Sequence, residues 1–120
     1  HFTADKNRFY GMGISMGGFG IWDIAIKHPN LFAAIVPVCG GADPTLARNI
    51  ETLPVWAFHG AKDKVVNPLF TIQIMEELNT LQSPDLASRF SLLPEVGHNA
   101  WIYLQEEPYL LRWLFSKQKF

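Results

Sequence analysis

The sequence has 120 residues, of which 48% are hydrophobic and 18% are charged, and its formal net charge is −1. This is the composition of a globular domain, and a near-neutral charge without a basic run argues against a nucleic-acid-binding protein. No apolar stretch approaches the roughly 20 residues that a membrane span needs. The single cysteine, Cys39, excludes an internal disulfide.

The first residues bear on the domain organisation. The chain does not begin with Met and shows no signal-peptide pattern. Residues 1–8 are predicted to form the end of a helix and a polar turn that leads straight into a strand. We therefore expect residues 1–120 to be a partial domain, with the first strands and any targeting signal upstream. The sequence leaves the cellular location and the oligomeric state open.

Nine elements are predicted, and strands alternate with helices along the chain. Continuous apolar strands such as residues 32–38 are typical of a parallel sheet covered on both faces. The expected fold class is therefore α/β, with about four parallel strands flanked by helices. In chain order the elements are strand 8–12, helix 16–28, strand 32–38, helical turn 45–49, strand 54–59, helix 68–81, strand 89–93, short helix 101–105 and helix 109–116.

The helix over residues 68–81 has the clearest pattern. Pro68 suits its first turn, because proline lacks the N–H that would be unpaired there. Leu69, Ile72, Met75 and Leu78 fall on one face, which is predicted to be the buried one.

Residues 13–17 read Gly-Ile-Ser-Met-Gly, the G-x-S-x-G pattern of a nucleophile elbow. A nucleophilic serine must stand clear of the backbone, so that a base reaches one side and a substrate carbonyl the other. A sharp strand-to-helix turn does this. We expect Gly13 and Gly17 to remove side chains that would clash there. Ser15 is the predicted nucleophile.

Two further residues follow predicted strands, as catalytic residues in open α/β sheets do. Asp63 follows the strand that ends at His59, and His98 follows the strand that ends near Pro94. The order Ser, Asp, His is that of the α/β-hydrolases. His98 is predicted to be the general base and Asp63 the residue that orients its ring.

Acyl transfer also needs an oxyanion hole. The backbone N–H of Met16, next to the nucleophile at a helix start, is the predicted first donor. The second donor normally lies on a loop after an earlier strand, often an H-G-G-type segment. Because no such segment precedes Ser15, we expect that donor on the missing part of the domain.

The remaining histidines are assigned structural roles. His59 is predicted to be buried and hydrogen-bonded at a strand end, and His28 lies at a helix end. No two histidines share metal-ligand spacing with a carboxylate, so neither a metal site nor a cofactor is expected.

Five stretches in register resemble bacterial esterases of the dienelactone hydrolase and phospholipase/carboxylesterase branch. The subgroup that they look closest to is often labelled predicted peptidase or prolyl-oligopeptidase-like. The resemblance covers essentially the whole chain. The stretches are GISMGGFGIW (13–22), HPNLFAA (28–34), VCGG (38–41), PVWAFHGAKD (54–63) and GHNAW (97–101).

This resemblance implies an α/β-hydrolase fold of which the chain is the C-terminal half, with Ser15, Asp63 and His98 as the triad. It implies a small-molecule ester as substrate and the N-terminal half of the domain as a structural partner. True dienelactone hydrolases use a cysteine nucleophile, whereas position 15 is serine, which points to an esterase. Three alternatives stay open: a peptidase on the same triad, a silent binding module, and a fragment that is inactive alone.

The sequence gives few indications of the substrate. Trp101, three residues after His98, is placed near the site, and Cys39 and Gly40 end a neighbouring strand and could border the pocket. No large lid is predicted between residues 32 and 54, which favours a small or short-chain acyl ester over a long lipid.

Overall fold

The structure is a computed structural model that describes residues 6–119. The helix end predicted before residue 6 lies outside these residues. Helices and strands alternate as expected, and 3₁₀ turns form at Lys6–Arg8, Pro44–Ile50, Pro84–Leu86 and Ala100–Glu106. In chain order the strands and α-helices are β1 (Tyr10–Ile14), α1 (Met16–Lys27), β2 (Ala34–Val38), β3 (Trp56–Gly60), α2 (Leu69–Leu81), β4 (Arg89–Leu93) and α3 (Leu110–Phe115).

The four strands form one parallel sheet in the order β1-β2-β3-β4. Tyr10 pairs with Ala34 across the first ladder, and Trp56 pairs with Arg89 across the last. Strands that are consecutive in the chain are thus neighbours in the sheet, and their carboxyl ends meet at one edge. The predicted α/β class, with about four parallel strands and flanking helices, is confirmed.

Each face of the sheet carries its own core, because side chains alternate along a strand. Ile35 of β2 and Ala57 of β3 face a cluster with α1, α2 and the Pro44–Ile50 turn. Val36 and Phe58 face the opposite cluster, which α3 and residues 96–100 complete. Helices therefore cover both faces, as a parallel sheet requires.

Helix α1 lies unusually close to the end of β2. A Cβ on Gly18 would come within 2.6 Å of the Val38 carbonyl oxygen, so only glycine allows this approach. Trp22, one turn further on, is completely buried, and its Nε1 donates to the carbonyl oxygen of Gly40 at 3.1 Å. These contacts fix the start of α1, and with it Ser15, against the sheet edge.

Several details differ from the prediction. Strands β2 and β3 begin at Ala34 and Trp56, each two residues later than expected. Strand β1 begins two residues later than expected and continues to Ile14, because Lys6–Arg8 form a 3₁₀ turn and Gly13 still pairs with Pro37. The buried face of α2 is also shifted: Leu69 is 51% exposed, whereas Thr71 is completely buried. A threonine can lie there because its hydroxyl donates to the Gly40 carbonyl oxygen at 2.6 Å.

Strand β1 is an edge of the described sheet, since it pairs only with β2 within residues 6–119. Its side chains Met12 and Ile14 are 50% and 43% exposed. No helix in these residues is both long and apolar enough to cross a bilayer.

Candidate active site

Ser15 lies in a sharp turn between β1 and α1. Its backbone has φ 57° and ψ −114°, and its N–H donates to the Val38 carbonyl oxygen at 2.8 Å. A Cβ on Gly13 would come within 1.9 Å of the Gly17 carbonyl oxygen, so glycine is required at position 13. At Gly17 a Cβ would meet nothing within 4 Å. The expectation for Gly17 was therefore wrong: its backbone, not an absent side chain, fills the turn.

The structure brings together the three residues predicted for the triad. Ser15 Oγ lies 2.9 Å from His98 Nε2, and His98 Nδ1 lies 2.8 Å from Asp63 Oδ2. Asp63 is buried, whereas the His98 side chain is 22% exposed and can be reached from solvent. The three groups form a continuous hydrogen-bonded chain from a buried carboxylate to a half-buried hydroxyl.

The Asp63 carboxylate accepts three hydrogen bonds and lies close to a second histidine. Oδ1 accepts from the backbone N–H groups of Val65 and Val66, both at 2.9 Å. Oδ2 faces the rings of His98 and His59, the latter at 3.3 Å. Burial opposes ionisation, but the N–H of Val66, the ring of His98 and the N–H of Val65 hold the pKa of Asp63 below its ordinary value.

The sequence reasoning missed Val65 and Val66. An aspartate whose carboxylate accepts from N–H groups two and three residues later is a common turn, so the signal was available.

The loops that carry Asp63 and His98 are bound to each other. Lys62 N–H donates to the Val96 carbonyl oxygen, and Ala61 N–H to that of Leu93, both at 2.9 Å. A Cβ on Gly60 would come within 2.1 Å of the Gly97 carbonyl oxygen, so the loops touch through backbone. This contact fixes the distance between the acid and the imidazole.

Cys39 and Gly40 directly follow β2, and both are buried. Cys39 is completely buried, and its Sγ donates to the backbone carbonyl oxygen of His98 at 3.2 Å. Burial raises the pKa of this thiol to about 11, so it stays a neutral donor. Gly40 is buried against α1. Cys39 thus supports the histidine loop, and Gly40 packs against the start of α1. That these two residues border a substrate pocket stays a prediction.

Trp101 and Met16 stand at the exposed side of the site. The Trp101 ring packs edge-on against the His98 ring, with centroids 5.6 Å apart. Met16 is the first residue of α1, so its N–H is one of the four that a helix leaves without an intrahelical partner. Their roles in substrate binding and in the oxyanion hole stay predictions.

Within the part of the chain that the structure describes, one grouping could hold a metal ion by distance alone. Ligand atoms of Cys39, Asp63 and His98 lie within 4.8 Å of one another. Each of these residues already has a hydrogen-bond partner inside the site. We therefore interpret the short distances among these three residues as the result of their hydrogen bonds.

Two cavities lie away from the triad. One, of about 510 Å³, runs between α2 and β4 and is lined by Met75, Gln82 and Phe90 among others. The second, of about 460 Å³, is lined partly by Phe32 and Lys117. Neither contains a predicted site residue.

Solved structures similar to this chain include esterases and a peptidase. A thermostable esterase superposes with a TM-score of 0.90 and 30% identity over 98% of this chain. An acylaminoacyl peptidase from Pyrococcus horikoshii matches 97% of the chain with a TM-score of 0.76 and 16% identity. A feruloyl esterase module from Clostridium thermocellum, complexed with sinapinate, matches 92% with a TM-score of 0.68 and 21% identity.

These similarities show that the chain has the α/β-hydrolase fold, which confirms the fold that the sequence resemblance implied. The chain spans 33% of the thermostable esterase, 25% of the peptidase and 47% of the feruloyl esterase module. No family model and no curated protein matches it.

Proposed function

We propose that Ser15, His98 and Asp63 are the catalytic triad of a serine hydrolase that cleaves carboxylic esters. The chain is then the C-terminal half of an α/β-hydrolase domain in the dienelactone hydrolase and phospholipase/carboxylesterase branch. The observation that carries the proposal is the unbroken chain of short contacts, 2.9 Å from Ser15 Oγ to His98 Nε2 and 2.8 Å from His98 Nδ1 to Asp63 Oδ2.

The protonation states follow from these contacts. The Asp63 carboxylate only accepts, so the proton of neutral His98 is on Nδ1. The lone pair on Nε2 then faces the Ser15 hydroxyl, as a general base requires. Asp63 keeps the ring in this tautomer and stabilises the imidazolium that forms when the serine proton is transferred.

Catalysis proceeds through an acyl-enzyme. Ser15 Oγ attacks the ester carbonyl carbon while its proton passes to His98 Nε2, and the oxyanion that forms faces the Met16 N–H. The intermediate collapses as the C–O bond to the alcohol breaks and His98 returns the proton to the departing oxygen. Water, deprotonated by His98, then attacks the acyl carbon, releases the acid and restores the Ser15 hydroxyl.

The esterase assignment draws on the 30% identity to a thermostable esterase over 98% of this chain. A peptidase is the second candidate, because an acylaminoacyl peptidase has the same fold. The two reactions use the same triad and differ in the leaving group. A binding module without activity would not need the three residues at these distances.

The test uses the full-length protein, a fluorophosphonate probe and p-nitrophenyl acetate. We expect covalent labelling and ester hydrolysis, and Ser15→Ala should abolish both. The matched control is Ser116→Ala, since Ser116 is exposed and its hydroxyl donates only to the Trp113 carbonyl oxygen. If Ser15→Ala keeps both signals, the triad assignment is wrong.

A second measurement separates the ester from the amide. Rates are compared for a p-nitrophenyl ester and a p-nitroanilide that carry the same acyl group. An esterase should hydrolyse the ester much faster than the anilide. Comparable efficiency on the anilide would make the peptidase the better assignment.

A further inference from the structure

His59 is a buried histidine that the proposed mechanism does not use. It lies near the end of β3, four residues before Asp63, and its side chain has no exposed surface. Its Nδ1 lies 2.7 Å from Thr71 Oγ1. Its Nε2 lies 2.9 Å from the Val66 carbonyl oxygen and 3.3 Å from Asp63 Oδ2. Both nitrogens therefore have close partners whose hydrogen-bonding capacity can be counted.

The proton of Thr71 determines the state of Nδ1. Thr71 Oγ1 lies 2.6 Å from the Gly40 carbonyl oxygen, which can only accept, so the hydroxyl hydrogen points to Gly40. Thr71 must then accept from His59, and Nδ1 carries a hydrogen. The reverse assignment would leave two oxygen lone pairs facing each other at 2.6 Å with no hydrogen between them.

The other nitrogen faces acceptors only. The Val66 carbonyl oxygen cannot donate, and neither can the ionised carboxylate of Asp63. An unprotonated Nε2 would place its lone pair against both oxygens in a site closed to water. Nε2 therefore also carries a hydrogen.

From this count we infer that His59 is a buried imidazolium ion, paired with Asp63, and that it is a positioning residue of the triad. The role as a positioning residue rests on the proposed function; the charge state rests only on the hydrogen bonds. A buried cation needs a counter-charge, and Asp63 Oδ2 at 3.3 Å supplies it.

The other ionisable groups near this pair do not supply the counter-charge. Cys39 is a neutral thiol, and His98 contacts the same Asp63 oxygen as His59 and carries no negative charge. Lys62 and Lys64, on the loop after β3, are exposed, and Lys62 pairs with Glu95. From α2 the contact to His59 is the uncharged Thr71, and the β4 residue in register is the apolar Leu92.

The charge has a consequence for the reaction. Asp63 and His59 together form a neutral pair, so a proton on His98 adds a second positive charge to the same carboxylate. This repulsion favours the neutral form of His98, which is the form that a general base needs. His59 also holds Oδ2 in place beside the two N–H groups that hold Oδ1.

The test is a long-range ¹⁵N–¹H correlation spectrum of the histidine-labelled full-length protein at neutral pH, with His59→Gln to assign the signals. We expect both ring nitrogens of His59 to show the protonated pattern. Thr71→Val keeps the side-chain shape but removes the hydroxyl oxygen that accepts from His59 Nδ1. In this variant His59 should lose the proton on Nδ1. Thr71→Ser keeps the hydroxyl and should preserve the wild-type pattern.

A wild-type His59 ring with one protonated nitrogen at neutral pH overturns the inference. A Thr71→Val protein in which both nitrogens stay protonated also overturns it, because the acceptor argument then fails. These spectra do not depend on activity: if fluorophosphonate labelling fails while the spectra agree, the proposed function is wrong and the charge state of His59 stands.

The positioning role has its own readout. Removing the positive charge in His59→Gln should move the acidic limb of the kcat/KM profile to higher pH. Thr71→Val should move it in the same direction, and Thr71→Ser should not. A mere loss of packing would lower the rate without moving the limb, and an unshifted limb in both variants contradicts the role.

Discussion

Ser15 and Cys39 occupy equivalent positions at the ends of neighbouring strands. Ile14 pairs with Val38 in the β1–β2 ladder, and the next residues, Ser15 and Cys39, have φ angles of 57° and 56°. Non-glycine residues rarely adopt this left-handed conformation. The serine hydroxyl contacts the His98 ring and the cysteine thiol contacts the His98 carbonyl oxygen. Two adjacent strained turns thus hold one histidine from two sides.

Because of the Cys39 thiol, the free energy of unfolding should change with pH in the alkaline range. Burial raises the pKa of Cys39 from 9.0 to about 11, so the unfolded chain loses this proton at lower pH than the folded chain. The free energy of unfolding should therefore fall as the pH rises through this range. Cys39→Ser keeps a donor without this titration. Urea unfolding at several alkaline pH values should show a smaller decline for Cys39→Ser; equal declines would contradict the assignment.

Replacing Asp63 by asparagine should strongly reduce catalysis. The amide keeps the shape of the carboxylate but can present its NH₂ group to His98, which favours the wrong ring tautomer. We expect kcat to fall roughly 10,000-fold. The control is Asp85→Asn, in the exposed Pro84–Leu86 turn, which should leave kcat unchanged. Steady-state kinetics on p-nitrophenyl acetate measure both, and a fall below tenfold for Asp63→Asn would exclude Asp63 from the triad.

The same carboxyl should contribute to acid unfolding. The N–H groups that surround Asp63 hold its pKa below the ordinary value of 3.8, so the unfolded chain takes up this proton first as the pH falls. Its stabilising contribution is present above that value and is lost as the pH falls through the folded-state pKa. Unfolding free energies at about pH 5 and about pH 3 should differ less in Asp63→Asn than in the wild type.

Two glycines near the elbow should respond oppositely to alanine. At Gly13 a Cβ would lie 1.9 Å from the Gly17 carbonyl oxygen, so Gly13→Ala must distort the turn. At Gly20, inside α1, a Cβ would meet nothing within 4 Å. Alanine there should stabilise the helix by about 0.5–1 kcal/mol. Thermal unfolding should show a large loss for Gly13→Ala and a small gain for Gly20→Ala; similar losses would contradict the packing at Gly13.

The fold and the grouping of Ser15, Asp63 and His98 could be predicted from the sequence because both depend on where the strands end. Parallel strands place their carboxyl ends at one edge, so Ser15, Asp63 and His98 could be brought together without coordinates. The bounds of β1 were less predictable, because glycine has weak strand preference. The burial of Thr71 could not be inferred, since helical spacing favours apolar residues on the inner face.

The surroundings of the triad could not be predicted. Thr71 lies 12 residues after His59, and only the packing of α2 on the sheet joins them. Cys39 lies 59 residues before His98, and no local pattern relates a thiol to a carbonyl that far along the chain. The spacing around Ser15 also could not show which of the two flanking glycines is required. A side chain would clash at Gly13 but not at Gly17.

The strand order also determines the sequence in which the strands can pair while the chain is being synthesised on the ribosome. Because each strand pairs with the one made before it, the sheet can grow in the direction of translation without a later strand inserting between earlier ones. The serine emerges first, and its histidine partner follows 83 residues later. At about 5–20 residues per second, that interval is roughly 4–17 s. If Ser15 and His98 act as proposed, the hydroxyl has no base during this time and cannot attack esters until β4 and His98 have been made.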